Sequence, residues 1–366
     1  MKHLEEALGA ALMLLILADI FLTVLYARSD TGVLSKRLAM ATLAVFRPVA
    51  KSFGKARGTV LSFCAPTILV LLVLVWFFGL SLGAGLIMHP RLGTSIRASS
   101  GETPTDFATA VFVGGSSISL VGGGSYGPQS GAMRMFFLLN SIIGTSVVSL
   151  TLAYLMQIYT ALQRRNAFGL KVHLLSRVTG DAAVLLAALA PRGKSDGVQS
   201  TISELATSMS EIKESHHFYP VLFFFRFQEP YYSVSRTAQT ALDLVALVNT
   251  ALDDKELGWL KETAAAAQLR SASLLVLHML EDTFLEGHAG KGEASAATQR
   301  EDEWRRHYCV ALQQLRAAGI PSTTEERQGE ADYVAQRREW DADVRELGHA
   351  LGYARSEVDP TLAASS

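Results

Sequence analysis

Acidic residues are scarce in the first 165 positions of this 366-residue chain: Glu5, Glu6, Asp19, Asp30, Glu102 and Asp106 are all of them, against 34 in the whole. A stretch so long and so poor in charge excludes an ordinary water-facing surface and points to burial in lipid or protein. Cysteine is scarcer still. Cys64 and Cys309 cannot build a disulfide framework, and no Cys/His group stands at zinc spacing. The net charge of -1 excludes a general nucleic-acid binder, which needs a basic face. A nucleophile paired with a base, a metal set and a phosphate cradle are also missing, so no enzyme activity is expected.

What the chain has instead is long apolar runs. Residues 6–27 read as a first spanning helix. Acids precede this run and no small-residue cleavage site follows, so it is expected to stay in the membrane rather than be removed. Asp19 sits near its middle, where a carboxylate is costly. It is expected either to be hydrogen-bonded against a neighbouring helix or to serve an ion path. Residues 28–57 are a basic connector, with Arg28, Lys36, Arg37, Arg47, Lys51, Lys55 and Arg57 against Asp30 alone. Leu34, Leu38, Ala41 and Val45 recur at helical spacing within it. That pattern fits an interfacial helix drawn to anionic headgroups, with a solvated linker as the alternative. Pro48 is expected to end or bend the helix. Residues 59–88 and about 133–163 read as two further spans. The basic connector and Arg164-Arg165 orient the chain by charge: N-terminus outside, connector inside, residues 89–130 outside, the remainder cytoplasmic.

Between the last two spans lies the most informative stretch. Thr103-Pro104, with Asp106 behind them, is expected to start a helix too short to span. Leu120, Val121, Gly122, Gly123, Gly124 and Ser125 follow, then Pro128. Alone, the glycines fit a flexible loop. Placed between a half-length helix and a full span, they fit a pore loop, because irregular backbone at membrane depth must be buried in protein or line water.

This segment resembles the pore module of the potassium-channel superfamily, whose filter reads Thr-Val-Gly-Tyr-Gly-Asp. Val121, Gly122, Gly124 and Pro128 match the pattern. Leu120, Gly123 and Ser125 replace its threonine, aromatic and aspartate. A second register through Tyr126-Gly127 is the weaker alignment, since Ser125 would then replace the first glycine. The resemblance implies four chains around one axis, with rings of backbone carbonyls passing a permeant monovalent cation, potassium or sodium, and no other metal or cofactor. The three replacements imply reduced potassium selectivity. In the third span, Val148, Leu152, Leu155 and Tyr159 fall on one face with Gly144 a turn before. This is either a pore-lining gate with a glycine hinge or a helix–helix contact stripe.

The remainder reads as helices at 170–190, 198–216, 231–252, 254–286, 295–318 and 326–353. Its ligand or partner is not readable. His216-His217 with Glu211 is poorly placed for a metal. Tyr333, Arg337, Trp340, Val344, Leu347 and Leu351 form a packing seam, between subunits or within the chain. The expected architecture is an all-α membrane protein with three transmembrane helices, a re-entrant pore helix and filter loop, and a helical cytoplasmic domain. Its parts are 1–58 (first span and interfacial helix), 59–165 (pore module), 166–353 (helical domain) and 354–366 (disordered tail). The expected function is a homotetrameric cation channel, with a non-conducting membrane scaffold or sensor as the rival.

Overall fold

A computed structural model of the chain describes residues 2–26, 33–119, 122, 124–191, 197–284 and 294–362. About 82% is helix, and the chain divides into two compact units. The first comprises Met1–Val45 and Ala65–Tyr159; the second comprises Phe46–Cys64 and Thr160–Ser366.

In the first unit, α1 (Lys2–Ile20) continues into a π-helical turn, Phe21–Leu25. Helix α2 covers Val33–Ser52, and Pro48 lies inside it rather than ending it. The short α3 (Arg57–Ser62) leads to α4 (Cys64–Met88), and α6 (Gly131–Leu175) follows α5 (Phe107–Ile118). Three helical stretches, Lys2–Leu25, Arg57–Arg91 and Gly131–Leu175, are long and apolar enough to cross a membrane. Helices α1 and α4 meet at glycines: a Cβ on Gly9 would stand 2.5 Å from the carbonyl oxygen of Gly83. Small residues let helix backbones approach where lipid gives no hydrophobic drive. Met13 and Ile16 of α1, Leu72 and Trp76 of α4, and Ile118 of α5 form one core, with Phe136 and Val147 of α6 against it.

The segment between α4 and α5 contributes to a two-stranded ribbon. Its strand β1 (Ile96–Ala98) pairs antiparallel with β2 (Tyr126–Pro128), which follows the glycine triplet. Helix α5 starts later than the sequence suggests. Asp106 is its cap, accepting from Thr109 N at 2.9 Å, while Thr103 Oγ1 accepts from Ala98 N at 2.9 Å. Thr103 is held by the ribbon and so does not cap.

The second unit is a helical bundle around α9 (Val234–Ala251), which is buried along almost its whole length. Packed about it are α7 (Ala182–Leu189), α11 (Ala264–Phe284), α13 (Glu326–Arg338) and α14 (Asp341–Ala350). Helices α8 (Val198–Phe218), α10 (Asp254–Lys261), α12 (Ala294–Ala317) and α15 (Arg355–Val358) complete it. Several expected boundaries are corrected here. The helix expected over 170–190 breaks at Arg177, Val178 and Gly180, whose φ angles are 51°, 71° and 77°. The stretch 254–286 divides at Thr263, whose hydroxyl accepts from Ala266 N, and 326–353 divides at Trp340. The expected disordered tail is ordered to residue 362. Helix α15 and the turn Pro360–Leu362 hold Asp359 buried against Arg337.

Candidate functional site

The C-terminal end of α5 is wedged against α6. A Cβ on Gly144 would stand 1.8 Å from the Ile118 carbonyl oxygen, so only glycine fits there. Beside this contact, Asn140 Nδ2 donates to Ser117 Oγ at 2.8 Å, and Asn140 is fully buried. On its other side α5 rests on α4, where a Cβ on Gly114 would stand 2.6 Å from Gly85 N. Gly144 therefore serves close approach, and the hinge reading gains nothing from it.

Past Ile118 the backbone leaves the helix. Ser119 is extended, with ψ 143°. Gly122 has φ 69°, a conformation L side chains rarely adopt, and its N–H donates to the Ser119 carbonyl at 3.2 Å. Leu120, Val121 and Gly123 lie outside the described residues. Beyond them the ribbon takes over. Ser99 Oγ donates to the Gly124 carbonyl at 2.8 Å, and Ser99 N donates to the Ser125 carbonyl at 2.9 Å. The outer two carbonyls of the expected filter are thus committed to Ser99. Tyr126 and Gly127 pair with Ala98 and Arg97, which removes the second register as a filter. Nothing near Ser99 or Asn140 in the sequence marks these roles, since both act across the fold.

Helix α6 has two unlike faces. Asn140, Thr151, Tyr154 and Ile158 are buried, whereas Val148, Leu152 and Tyr159 are 49%, 61% and 52% exposed and Leu155 is half-buried. Only 11% of its apolar stretch is buried within the chain, against 39% for the stretch through α4 and 28% for that of α1. An apolar helix this bare needs lipid or further chains as cover.

Asp19 is buried and accepts three hydrogen bonds. They come from Trp76 Nε1 at 2.9 Å, Leu34 N at 3.2 Å and Ser35 Oγ at 3.1 Å. It joins α1 to α4 and receives a backbone N–H from the first turn of α2. This places Asp19 as a structural clasp between the three helices.

The second unit gathers the ends of the apolar helices. In it, Arg47 Nη2 donates to the Ala350 carbonyl at 3.3 Å and Gln228 Nε2 donates to Thr59 Oγ1 at 3.0 Å. Arg165, buried, donates to the carbonyls of Leu222 and Phe225 at 2.8 and 2.9 Å. The later half of the basic connector thus packs on the helical bundle. His216 is buried with Nδ1 at 2.9 Å from the Ile212 carbonyl, while Glu211 is exposed, so the two are not brought together. Burial and then the Arg165 charge push the His216 imidazole down to about 3, which keeps it neutral.

The seam is internal: Tyr333, Arg337, Trp340, Val344, Leu347 and Leu351 are all buried within one chain. At its centre Arg337 Nη1 lies 3.2 Å from Asp243 Oδ2, Arg337 Nη2 pairs with Asp359, and Tyr333 OH donates to Asp243 Oδ1 at 2.9 Å. Burial would discharge this arginine, but the two carboxylates outweigh it and hold Arg337 charged. Burial likewise opposes the charge on Asp359, yet Arg337 keeps its carboxyl below the usual range. Asp243 is pushed up to about 7 by burial, which the shared arginine only partly offsets.

None of the protein-family models, curated proteins or solved structures compared with this chain matches it.

Proposed function

We propose that the chain is one subunit of a homotetrameric membrane cation channel that resembles potassium channels. The observation that carries this reading is the seating of α5, a helix of 12 residues, end-on against α6 at Gly144. Its last turn opens into extended and left-handed backbone at Ser119 and Gly122. A helix that stops short of spanning and aims its carbonyl end at such backbone suits a cation that has lost its water. One chain supplies one such segment, so a ring of carbonyls needs several copies, four by the resemblance. The bare face of α6 at Val148, Leu152 and Tyr159 is then covered by sister chains or lines the path. The permeant ion is a monovalent cation, potassium or sodium.

By the charge rule the N-terminus lies outside the cell membrane and the second unit in the cytoplasm. Arg37, on the earlier half of α2, is exposed and meets anionic headgroups. The helical bundle, which holds Arg165 of α6 and the segment before α4, assembles or gates the membrane part.

A second reading draws on Ser99. Because it occupies the Gly124 and Ser125 carbonyls, fewer oxygens remain to strip a cation, which favours a non-conducting scaffold or sensor. Native mass spectrometry of the purified chain in mild detergent tests assembly. Four copies are expected, and a stable monomer contradicts the channel reading.

A further inference from the structure

The second unit contains a cavity of about 460 Å³ between α12, the start of α7 and the C-terminal segment, lined by Asp181, Trp304, Arg306, His307, Gln314 and Thr361 among others. That size falls within the roughly 300–1,000 Å³ of small-molecule sites. Its lining carries buried polar atoms with no hydrogen-bond partner among the described residues: Trp304 Nε1, His307 Nε2 and Gln314 Oε1. Trp304 is 4% exposed. Spacings of three and ten residues bring 304, 307 and 314 to one face of α12. Buried polar groups are ordinarily satisfied, and three orphans on one cavity wall mark a missing partner.

The charges around the cavity are unequally committed. Asp181 caps α7, accepting from Ala183 N at 2.7 Å, and Glu303 pairs with Arg355 at 2.7 Å. Arg305 is tied to Glu301, Asp302 and Glu330. Arg337, which also reaches the cavity, serves Asp243 and Asp359, and its Nε is a further orphan 4.0 Å from Asp341. Arg306 makes no ion pair among the described residues. The acids are therefore spoken for, while one guanidinium and the Trp304 indole N–H remain as donors.

We propose that this cavity binds a small organic anion, its acidic group taken by Arg306 and the Trp304 N–H and its body set against the Trp304 ring. A carboxylate and a phosphate share the chemistry that these donors recognise. The His307 imidazole, pushed down to about 4 by burial and then by Arg337, stays neutral and supplies one further hydrogen bond. The site is independent of conduction and holds whether or not the chain passes ions.

The test uses the full chain in detergent, titrated calorimetrically with inorganic phosphate, AMP and phenylacetate. Saturable binding of AMP or phenylacetate is expected, and the pair separates phosphate from carboxylate as the preferred head. Trp304→Phe, which keeps the ring and removes the N–H, and Arg306→Gln, at the surface, should each weaken that binding about tenfold or more. Binding to the Arg306→Gln variant that matches wild type, or no saturable binding of any of the three compounds, overturns the proposal. Retained melting temperatures in both variants show that a loss is a loss of the site and not of the fold.

Discussion

Gly144 and the Ile118 carbonyl are in backbone contact, and a methyl group on Gly144 would stand 1.8 Å from that oxygen. The end of α5 is therefore set by α6, and no side-chain rearrangement can make room, because the obstacle is backbone. Gly144→Ala should destabilise the first unit by about 1–3 kcal/mol or displace α5. A melting temperature in detergent equal to wild type would contradict this packing.

Asp19 is buried and accepts three hydrogen bonds, so its removal strands Trp76 Nε1 and Leu34 N, while Ser35 Oγ keeps Thr23 Oγ1 at 2.7 Å. Asp19→Ala should cost about 2–4 kcal/mol, since each orphaned donor keeps its desolvation penalty. Trp76→Phe, which removes one donor only, should cost less. Equal stability of Asp19→Ala and wild type in urea titrations would show that the clasp contributes nothing.

Arg337 neutralises two carboxylates from separate elements, Asp243 on α9 and Asp359 after α15. Arg337→Met leaves both buried without a counter-charge and should cost about 3–5 kcal/mol. Restoring neutrality with Asp243→Asn and Asp359→Asn in the same chain should recover much of the loss.

The same cluster sets a pH dependence. Asp243 is raised by burial to about 7, above the value near 3.9 of an unfolded aspartate. The folded chain then binds a proton that the unfolded chain releases. Its stabilising contribution is complete below about pH 4 and is lost as pH rises through about 7. Asp359, held low by Arg337 against its burial, has the opposite sign and loses its contribution only in acid. Melting temperature should thus fall between about pH 5 and 8, and Asp243→Asn should flatten that slope. An unchanged slope in the variant would contradict the assignment.

The three helices long and apolar enough to cross a membrane were legible because uninterrupted hydropathy is a property of local sequence. Likewise the seam through Tyr333 and Leu347 follows helical spacing. Its partners were not legible, as Asp243 lies 94 residues before Arg337 and no local pattern couples them. The tail is hidden in the same way, since Asp359 is held by Arg337, 22 residues and two helices earlier. Thr103 and Asp106 are both good caps. The choice between them was made by β1, through the Ala98 N–H that holds Thr103. In the glycine segment, Gly122 takes a left-handed φ, as its residue type allows. Ser99, which occupies the Gly124 and Ser125 carbonyls, comes from the far side of the ribbon and carries no sequence signal.

Leu120, Gly123 and Ser125 lack the hydroxyl, ring and carboxylate of the potassium-channel pattern, so the proposed filter has little side-chain bracing. Gly123→Tyr with Ser125→Asp should sharpen the preference for potassium over sodium if bracing contributes to selection. No change in the permeability ratio would place selection in the backbone alone.

Reversal potentials of the purified chain in planar bilayers, with potassium on one side and sodium on the other, test the central claim most directly. The account predicts a cation current whose reversal potential lies near zero, because the filter admits both ions. A strongly potassium-selective current would contradict the argument from missing side chains. No current at any voltage or pH would contradict conduction itself and leave the scaffold reading in its place.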